Sequence, residues 1–358
     1  EIYTLSLHDA LPISTSYCLG AVGVLAGIFL WGDGARDIVY FSTLDLMSNI
    51  VLSAIPLFIF MGFVLHESRI AKDMFHTVYM WSGRIRGALG IGTILICALM
   101  AAMLGVSSAT ILSMGVIAVP AMLQKNYNKR LAVGIVQAGG ALGFLIPPSM
   151  MMVMYSFISG VSVGRLFAGG IIPGLILAGM YLVYIAVLSW LRPEMAPAIT
   201  SEERPPFKER VAALTELILP LALIVSILGC IFMGITSPTE AAAIGAFGSL
   251  VCAGVKGRLS LAMLGRACRQ TFAISGFAGY IIIAALIFSK VYTGLGATAM
   301  IKNLVLNMGA EPLVVMVSIQ LSFFILGMFM DDIAILFMCM PIYIPIIVGL
   351  GLDPVWRG

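Results

Sequence analysis

The sequence predicts an all-α polytopic membrane protein, on three observations. Hydrophobic residues make up 61% of the 358 and charged residues only 10%, where a soluble domain carries about 25% charged. Mean hydropathy is +1.08. The apolar runs are about 17–25 residues long, the length a helix needs to cross hydrocarbon, whereas a barrel shows alternating segments of about 10. The net charge of +3 is small and its basic residues sit in short loops. That pattern fits the positive-inside rule and a lipid bilayer, with no nucleic-acid partner. The cysteines at 18, 97, 230, 252, 268 and 339 are scattered and mostly apolar in context, so they read as small hydrophobes. The 23 methionines do not gather in a polar segment and read as adaptable packing.

Residues 1–14 fit no targeting pattern: no initiator Met, no basic n-region and no clean apolar core precede the first span. They read as a non-native leader joined to the chain. Tyr17 to Trp31 is apolar but short. Ile50 to Leu65 is a span with Pro56 as a kink. His66 to Arg86 is amphipathic and reads as an interfacial helix with its charges in water.

Ala88 to Leu104 is apolar, Gly105-Val106-Ser107-Ser108-Ala109-Thr110 interrupts it, and Ile111 to Leu123 follows. Two readings fit: a re-entrant hairpin with a small polar tip, or two ordinary spans whose hydroxyls bond back to the helix. Leu131 to Phe144 is apolar and Gly-rich, then Pro147-Pro148 stops the helix, because proline removes backbone donors. A broken helix would free carbonyls near Gly143 to Ile146. The Ser107, Ser108, Thr110 and Ser149 hydroxyls would lie nearby, an oxygen set that suits a hard cation. The plain alternative is a span that ends at the interface.

Leu166 to Leu191 is a clear span, residues 192–210 form the one long hydrophilic loop, and Val211 to Ile235 is the next span. Ser237-Pro238-Thr239-Glu240 has the spacing of a helix cap, a sufficient account of Glu240. Residues 256–269 are basic and amphipathic, again interfacial in character, and Phe272 to Phe288 is apolar. Pro312 to Gly327 and Ile333 to Gly349 flank Met328-Phe329-Met330-Asp331-Asp332, a second interrupted pair. Pro341 follows Gly327 at nearly the spacing by which Pro120 follows Gly105, a weak sign of related halves. Asp331 and Asp332 either sit solvated in a turn or place one carboxylate, that of Asp331, near a cation. No counterpart of Ile146-Pro147-Pro148-Ser149 follows the second pair, so the sequence reads as truncated after residue 358. No enzyme is predicted: His8, His66 and His76 form no metal spacing and no serine–base pairing is legible.

Several motifs occur in a specific order. They are Ile55-Pro56-Leu57-Phe58 with Met61-Gly62, the Gly105–Thr110 tip, Leu142 to Ser149, Leu166 to Gly174, Ser237 to Ala243, and Leu326 to Asp332 followed by Pro341-Ile342. Together they resemble the large membrane subunit (M, DctM-like) of a tripartite ATP-independent periplasmic (TRAP) transporter, over about residues 16–358. The resemblance implies a sodium-driven importer of an organic acid such as a C4-dicarboxylate or sialic acid, in the bacterial inner membrane. It implies an elevator fold of the ion-transporter superfamily, with two re-entrant hairpins and broken helices in pseudo-symmetric halves. Two partners are implied: a small membrane subunit (Q) and a periplasmic solute-binding protein (P). On this pattern residues 15–86 are scaffold and interfacial helix, and 87–165 are transport domain. Residues 166–310 are scaffold with the loop 192–210 and an arm helix at 256–269, and 311–358 are the second hairpin. Sodium serves as coupling ion, with no other cofactor. Its first site maps to Ser107, Ser108, Gly143, Ile146 and Pro148; a second, incomplete site maps to Gly327 and Asp331; Thr110 and Ser149 lie near substrate. A receptor-independent sodium/anion symporter of the same superfamily is the alternative.

Overall fold

The computed structural model describes residues 7–81, 85–105, 107–198, 206–307, 311–330, 332–351, 353 and 355. Those residues are mostly helical and contain no strand. In chain order the helices are α1 (Leu7–Trp31), α2 (Gly34–Ser48), α3 (Ile50–Glu67), α4 (Ile70–Trp81), α5 (Ala88–Leu104), α6 (Ser107–Gln124) and α7 (Lys129–Ala141). A 3₁₀ turn at Leu142–Phe144 extends α7, and α8 (Met150–Ser159) and α9 (Val163–Leu191) follow. Then come α10 (Phe207–Ala213), α11 (Thr215–Phe232), α12 (Pro238–Val255), α13 (Leu261–Gly294), α14 (Ala297–Asn307), α15 (Pro312–Leu326) and α16 (Asp332–Gly349). Among the described residues, seven helical stretches are long and apolar enough to cross a membrane: α3, α6, α9, Phe207–Phe232, α12, α13 and α16. The protein is therefore a multi-pass membrane protein. Its described residues fall into two compact units, residues 53–153 with 163–272, and residues 1–52 with 154–162 and 273–358.

In the first of these units α5, α6 and α7 form the centre, and their directions follow from glycine contacts. Gly90 of α5 abuts Ile135 of α7, Gly139 abuts Cys97, and Gly143 abuts Ala101. Residue numbers rise together, so α5 and α7 run parallel. Gly140 abuts Ile111 and Gly143 abuts Ser107, so α6 runs opposite to both. The α5–α6 pair is thus a helical hairpin whose tip lies level with the C-terminal end of α7. The approach is close: a Cβ at Gly139 would stand 2.6 Å from the Cys97 Cβ, and one at Gly140 would stand 2.2 Å from Ile111 Cγ1. Small residues let helix backbones approach where lipid supplies no hydrophobic drive.

The base of the hairpin is stitched to the start of the 192–210 loop. Gly87 N–H donates to Ala196 O at 3.0 Å, Asn128 N–H donates to Met195 O at 2.9 Å, and the Ser189 hydroxyl donates to Arg86 O at 3.3 Å. Asn128 also caps α7, accepting from Arg130 N and Leu131 N. Burial pushes the Tyr127 phenol pKa up, against the lowering effect of backbone hydrogen bonds from Gly90 and Leu89 in the first turn of α5.

The charges on His66 to Arg86 and 256–269 are not simply in water, as the sequence suggests. Arg258 Nη1 donates to Asp73 at 2.5 Å and to Ser68 O at 2.9 Å, Arg266 pairs with Glu67 at 2.7 Å, and Lys256 pairs with Glu216. These partners are far apart in sequence, which is why an amphipathic pattern cannot reveal them. The α4 helix carries its own anchors: Thr77 Oγ1 donates to Ala213 O, Trp81 Nε1 donates to Arg210 O, and the Arg210 guanidinium lies 4.8 Å from the Trp81 ring. Residues 261–294 are one helix of 34 residues, about 51 Å long at 1.5 Å per residue, where the sequence suggested an interfacial piece and a separate span. At α12 the predicted cap is present, with Ser237 N–H donating to Glu240 Oε2 at 2.6 Å and Glu240 N–H donating to Ser237 Oγ at 3.3 Å.

In the second unit α1 packs on the latter part of α13 through a glycine face. A Cβ at Gly23 would stand 2.9 Å from Phe288 N, and Gly20 and Gly27 meet Ala284 and Ala35. The α15–α16 pair is a second hairpin. Ser322 Oγ and Tyr343 Oη lie 2.7 Å apart, Phe323 meets the Tyr343 ring edge-on at 5.3 Å, and Val315 and Ile319 cluster with Ile346 and Ile347. Partner numbers fall as the others rise, which sets the two arms antiparallel.

The glycine contacts make a stability prediction. Gly140→Leu forces overpacking against Ile111 and should cost about 1–3 kcal/mol. Gly134→Ala, where a Cβ meets nothing within 4 Å, should be neutral or slightly stabilising. Thermal unfolding of the detergent-solubilised chain reads both.

Candidate functional site

The break after α7 begins with a missing donor. In a continuous helix the carbonyls of Gly143 and Phe144 would accept from the N–H groups of residues 147 and 148. Both are prolines, which have none. The chain turns instead: Leu145 N–H and Ile146 N–H both donate to Leu142 O, at 3.0 and 2.8 Å. The Ser149 hydroxyl, fully buried, donates to Phe144 O at 3.0 Å. The carbonyls of Gly143 and of residues 145–148 accept no backbone or side-chain hydrogen bond among the described residues. Gly143, Pro147 and Pro148 are buried and Leu145 and Ile146 half-buried; backbone carbonyls in such places are normally paired, so the break is rich in oxygens with spare acceptor capacity.

The hairpin tip closes on that break. Gly105 caps α5 in the left-handed region at φ +61°, a conformation that costs a side-chain-bearing residue about 1–2 kcal/mol. Its carbonyl accepts the N–H of Met150, first residue of α8, at 3.1 Å. A Cβ at Gly105 would stand 3.1 Å from Pro148 O. Beside it, a Cβ at Gly143 would stand 3.4 Å from both N and Cα of Ser107. The N-terminal turn of α6, with its unpaired N–H groups, therefore lies against the broken end of α7. The tip also leans on α3: a Cβ at Gly62 would stand 3.0 Å from Leu104 Cα.

Of the residues that the resemblance points to, Ser107, Gly143, Pro148 and Ser149 come together around Gly105. Ser107 is 5% exposed, and Thr110, one turn further along α6, is fully buried. Ser108 is exposed, since adjacent helical positions point about 100° apart. The side chain of Ile146 sits on the α9 side, where a Cβ at Gly174 would stand 2.9 Å from its Cγ1. Leu145 faces the same helix, its carbonyl 2.7 Å from where a Cβ of Gly170 would be. Gly105, Gly170 and Gly174 were not singled out by sequence as site residues, although each is what lets the backbone of the break fit. Gly327 is exposed and ends α15, its N–H donating to Phe323 O at 2.8 Å. Asp331 lies outside the described residues; Asp332 opens α16 and is exposed.

The arrangement offers carbonyl and hydroxyl oxygens together with a helix N-terminus, and no carboxylate among the described residues of the first tip. Such a set can hold a hard monovalent cation through oxygens and an anionic group through N–H donors.

Comparison with known proteins gives the family. Residues 2–358 match the family described as the tripartite ATP-independent periplasmic transporter, DctM component. The chain is 32% identical over 341 residues to a C4-dicarboxylate TRAP transporter large permease protein of Pseudomonas aeruginosa, covering 95% of this chain and 78% of that protein. It is 30% identical over 308 residues to an ectoine TRAP transporter large permease protein of Halomonas elongata, 86% and 71% of the two chains. It is 28% identical over 313 residues to a sialic acid TRAP transporter large permease protein of Vibrio cholerae, 87% and 72%.

The tip makes its own prediction. Gly105→Ala should lower stability by about 1–2 kcal/mol from the left-handed backbone alone, and by more through the crowded Pro148 carbonyl. Gly115→Ala, an open helical site, should not. Parallel thermal melts of the two variants distinguish a strained tip from a generic glycine effect.

Proposed function

The chain belongs to the DctM family, the large permease component of TRAP transporters, and from that premise we propose that it serves in sodium-coupled import of an organic acid. The observation that carries the reading is the seating of the hairpin tip against the Pro147–Pro148 break, with the Pro148 carbonyl beside Gly105 and Gly143 against Ser107. Ser107, Ser108, Gly143, Ile146 and Pro148 are the proposed first sodium site. Backbone oxygens supply most of that set, and Ile146 contributes only its carbonyl, because its side chain packs on α9. Gly327 and Asp331 are the proposed members of a second site. Thr110 and Ser149 stand near substrate.

The relatives are named for C4-dicarboxylates, ectoine and sialic acid, solutes that share a carboxylate. A carboxylate does not enter hydrocarbon unaided. Free N–H groups and the positive end of a helix dipole at the start of α6 would receive it, and a bound sodium would offset its charge. Movement of the loaded hairpin against the scaffold, as in an elevator, would then couple the two gradients. A tripartite system supplies the remaining parts: a small membrane subunit and a periplasmic binding protein that delivers the acid, at the bacterial inner membrane.

In proteoliposomes carrying the complete three-component assembly, Ser107→Ala combined with Ser108→Ala should reduce sodium-dependent uptake by at least about tenfold, the effect of roughly 1.4 kcal/mol of lost ligand energy. Membrane insertion should persist. Undiminished sodium dependence would remove these residues from the site, and uptake without the binding protein would favour a receptor-independent symporter.

A further inference from the structure

A groove of about 540 Å³ lies between α7 and α9, away from the tip and the break. Its floor is Gly134 and Ala138, and Tyr181, Tyr184 and Ile185 stand along its α9 side. Arg130 lines one end, and Met195 of the loop lies there with it. Arg130, Gly134 and Ala138 are four residues apart, so they share one stripe of α7. Two small residues below one cation leave a slot with a charged mouth.

The size of the groove bears on what fits. A transmembrane helix is about 10 Å across and rises 5.4 Å per turn. The groove holds little more than one such turn, too little for a helix to enter. A single acyl chain needs far less width, and the lining is otherwise apolar.

The mouth is electropositive. The first turn of α7 carries Lys129 and Arg130 and no acidic residue, at the helix end where the backbone dipole is itself positive. No salt bridge is formed by Arg130 among the described residues. Lys125, the neighbouring cation, lies 5.8 Å from the Tyr79 ring. No carboxylate is among the residues that line the groove, so at Arg130 the complement is a headgroup of net negative charge.

We infer that this groove binds one anionic phospholipid, its acyl chain along Gly134 and Ala138 and its phosphate at Arg130. The lipid would wedge between α9 and the helix that carries the break, setting their spacing from the membrane side.

The test uses phosphatidylglycerol and phosphatidylcholine carrying a photoreactive group in mid-chain, added to the full chain in bilayers, with labelled peptides mapped after illumination. Labelling should concentrate in residues 131–138 and 180–188. Phosphatidylglycerol should exceed phosphatidylcholine by about fivefold, the factor one basic residue gives near an anionic lipid. Arg130→Gln should equalise the two lipids. Gly134→Leu should abolish groove labelling and leave labelling at the exposed Phe247 and Val251 of α12 unchanged, which also reports that the variant is folded; Ala138→Leu is the second filler. Labelling spread evenly over all exposed apolar faces would mean ordinary solvating lipid and would overturn the inference. So would a headgroup preference that survives Arg130→Gln, or equal labelling by both lipids in the unsubstituted chain.

Discussion

Two adjacent prolines withdraw two hydrogen-bond donors from the interior of an apolar helix, and the architecture around them answers that loss. In water the freed carbonyls would be hydrated at little cost. At membrane depth each unpaired group is expensive unless protein or a cavity receives it. Ser149 repairs one position with its hydroxyl. The Gly105 carbonyl takes the leading N–H of α8. The Pro148 carbonyl faces the hairpin tip and the Leu145 carbonyl faces α9, and the close approaches around the break are made possible by missing side chains at Gly105, Gly143, Gly170 and Gly174.

Rigidity is unequally distributed along the α5–α6 hairpin. Its base is tied by backbone bonds to Met195 and Ala196 and by the buried Tyr127. Its arms are held by Gly139 and Gly140 at near-contact distances. Among the described residues, the tip meets the break through one backbone bond, Met150 N–H to the Gly105 carbonyl, and turns through a glycine in the left-handed region. On the proposed function, an ion bound there would act on the tip rather than on the base, since a ligand shifts a two-state equilibrium only by its differential affinity. The ion pairs Glu67–Arg266 and Asp73–Arg258 tie α3 to α13 and α4 to the α12–α13 connection, a different set of elements.

Much of this was legible in the sequence, for physical reasons that differ by element. Composition declares the bilayer, because no soluble protein could bury so much apolar surface. Pro147-Pro148 declares the break, because proline cannot supply an amide proton in any context. The hairpin was left undecided between two spans and a re-entrant pair. Arms near the length limit read the same either way, and only the pairing of Gly143 with Ser107 reveals where the tip lies. Ser107 and Ser108 look equivalent in sequence, yet the helical turn buries one and exposes the other. The continuity of α13 was hidden by Arg266, Arg269 and Gln270. Those residues look like an interfacial boundary until two of them, Arg266 and Gln270, are seen to meet Glu67. Glycines whose role is to be absent volume carry almost no sequence signal of their own.

The most direct test is the melting temperature of the purified chain as sodium replaces choline at constant ionic strength. A cation held by the tip and the break stabilises the seated form by about 2.7 kcal/mol at a hundredfold excess over Kd. The account therefore predicts a saturable rise of several degrees that sodium gives, choline does not, and Ser107→Ala diminishes. Melting curves that are the same in both salts, or that rise equally in the variant, would contradict it.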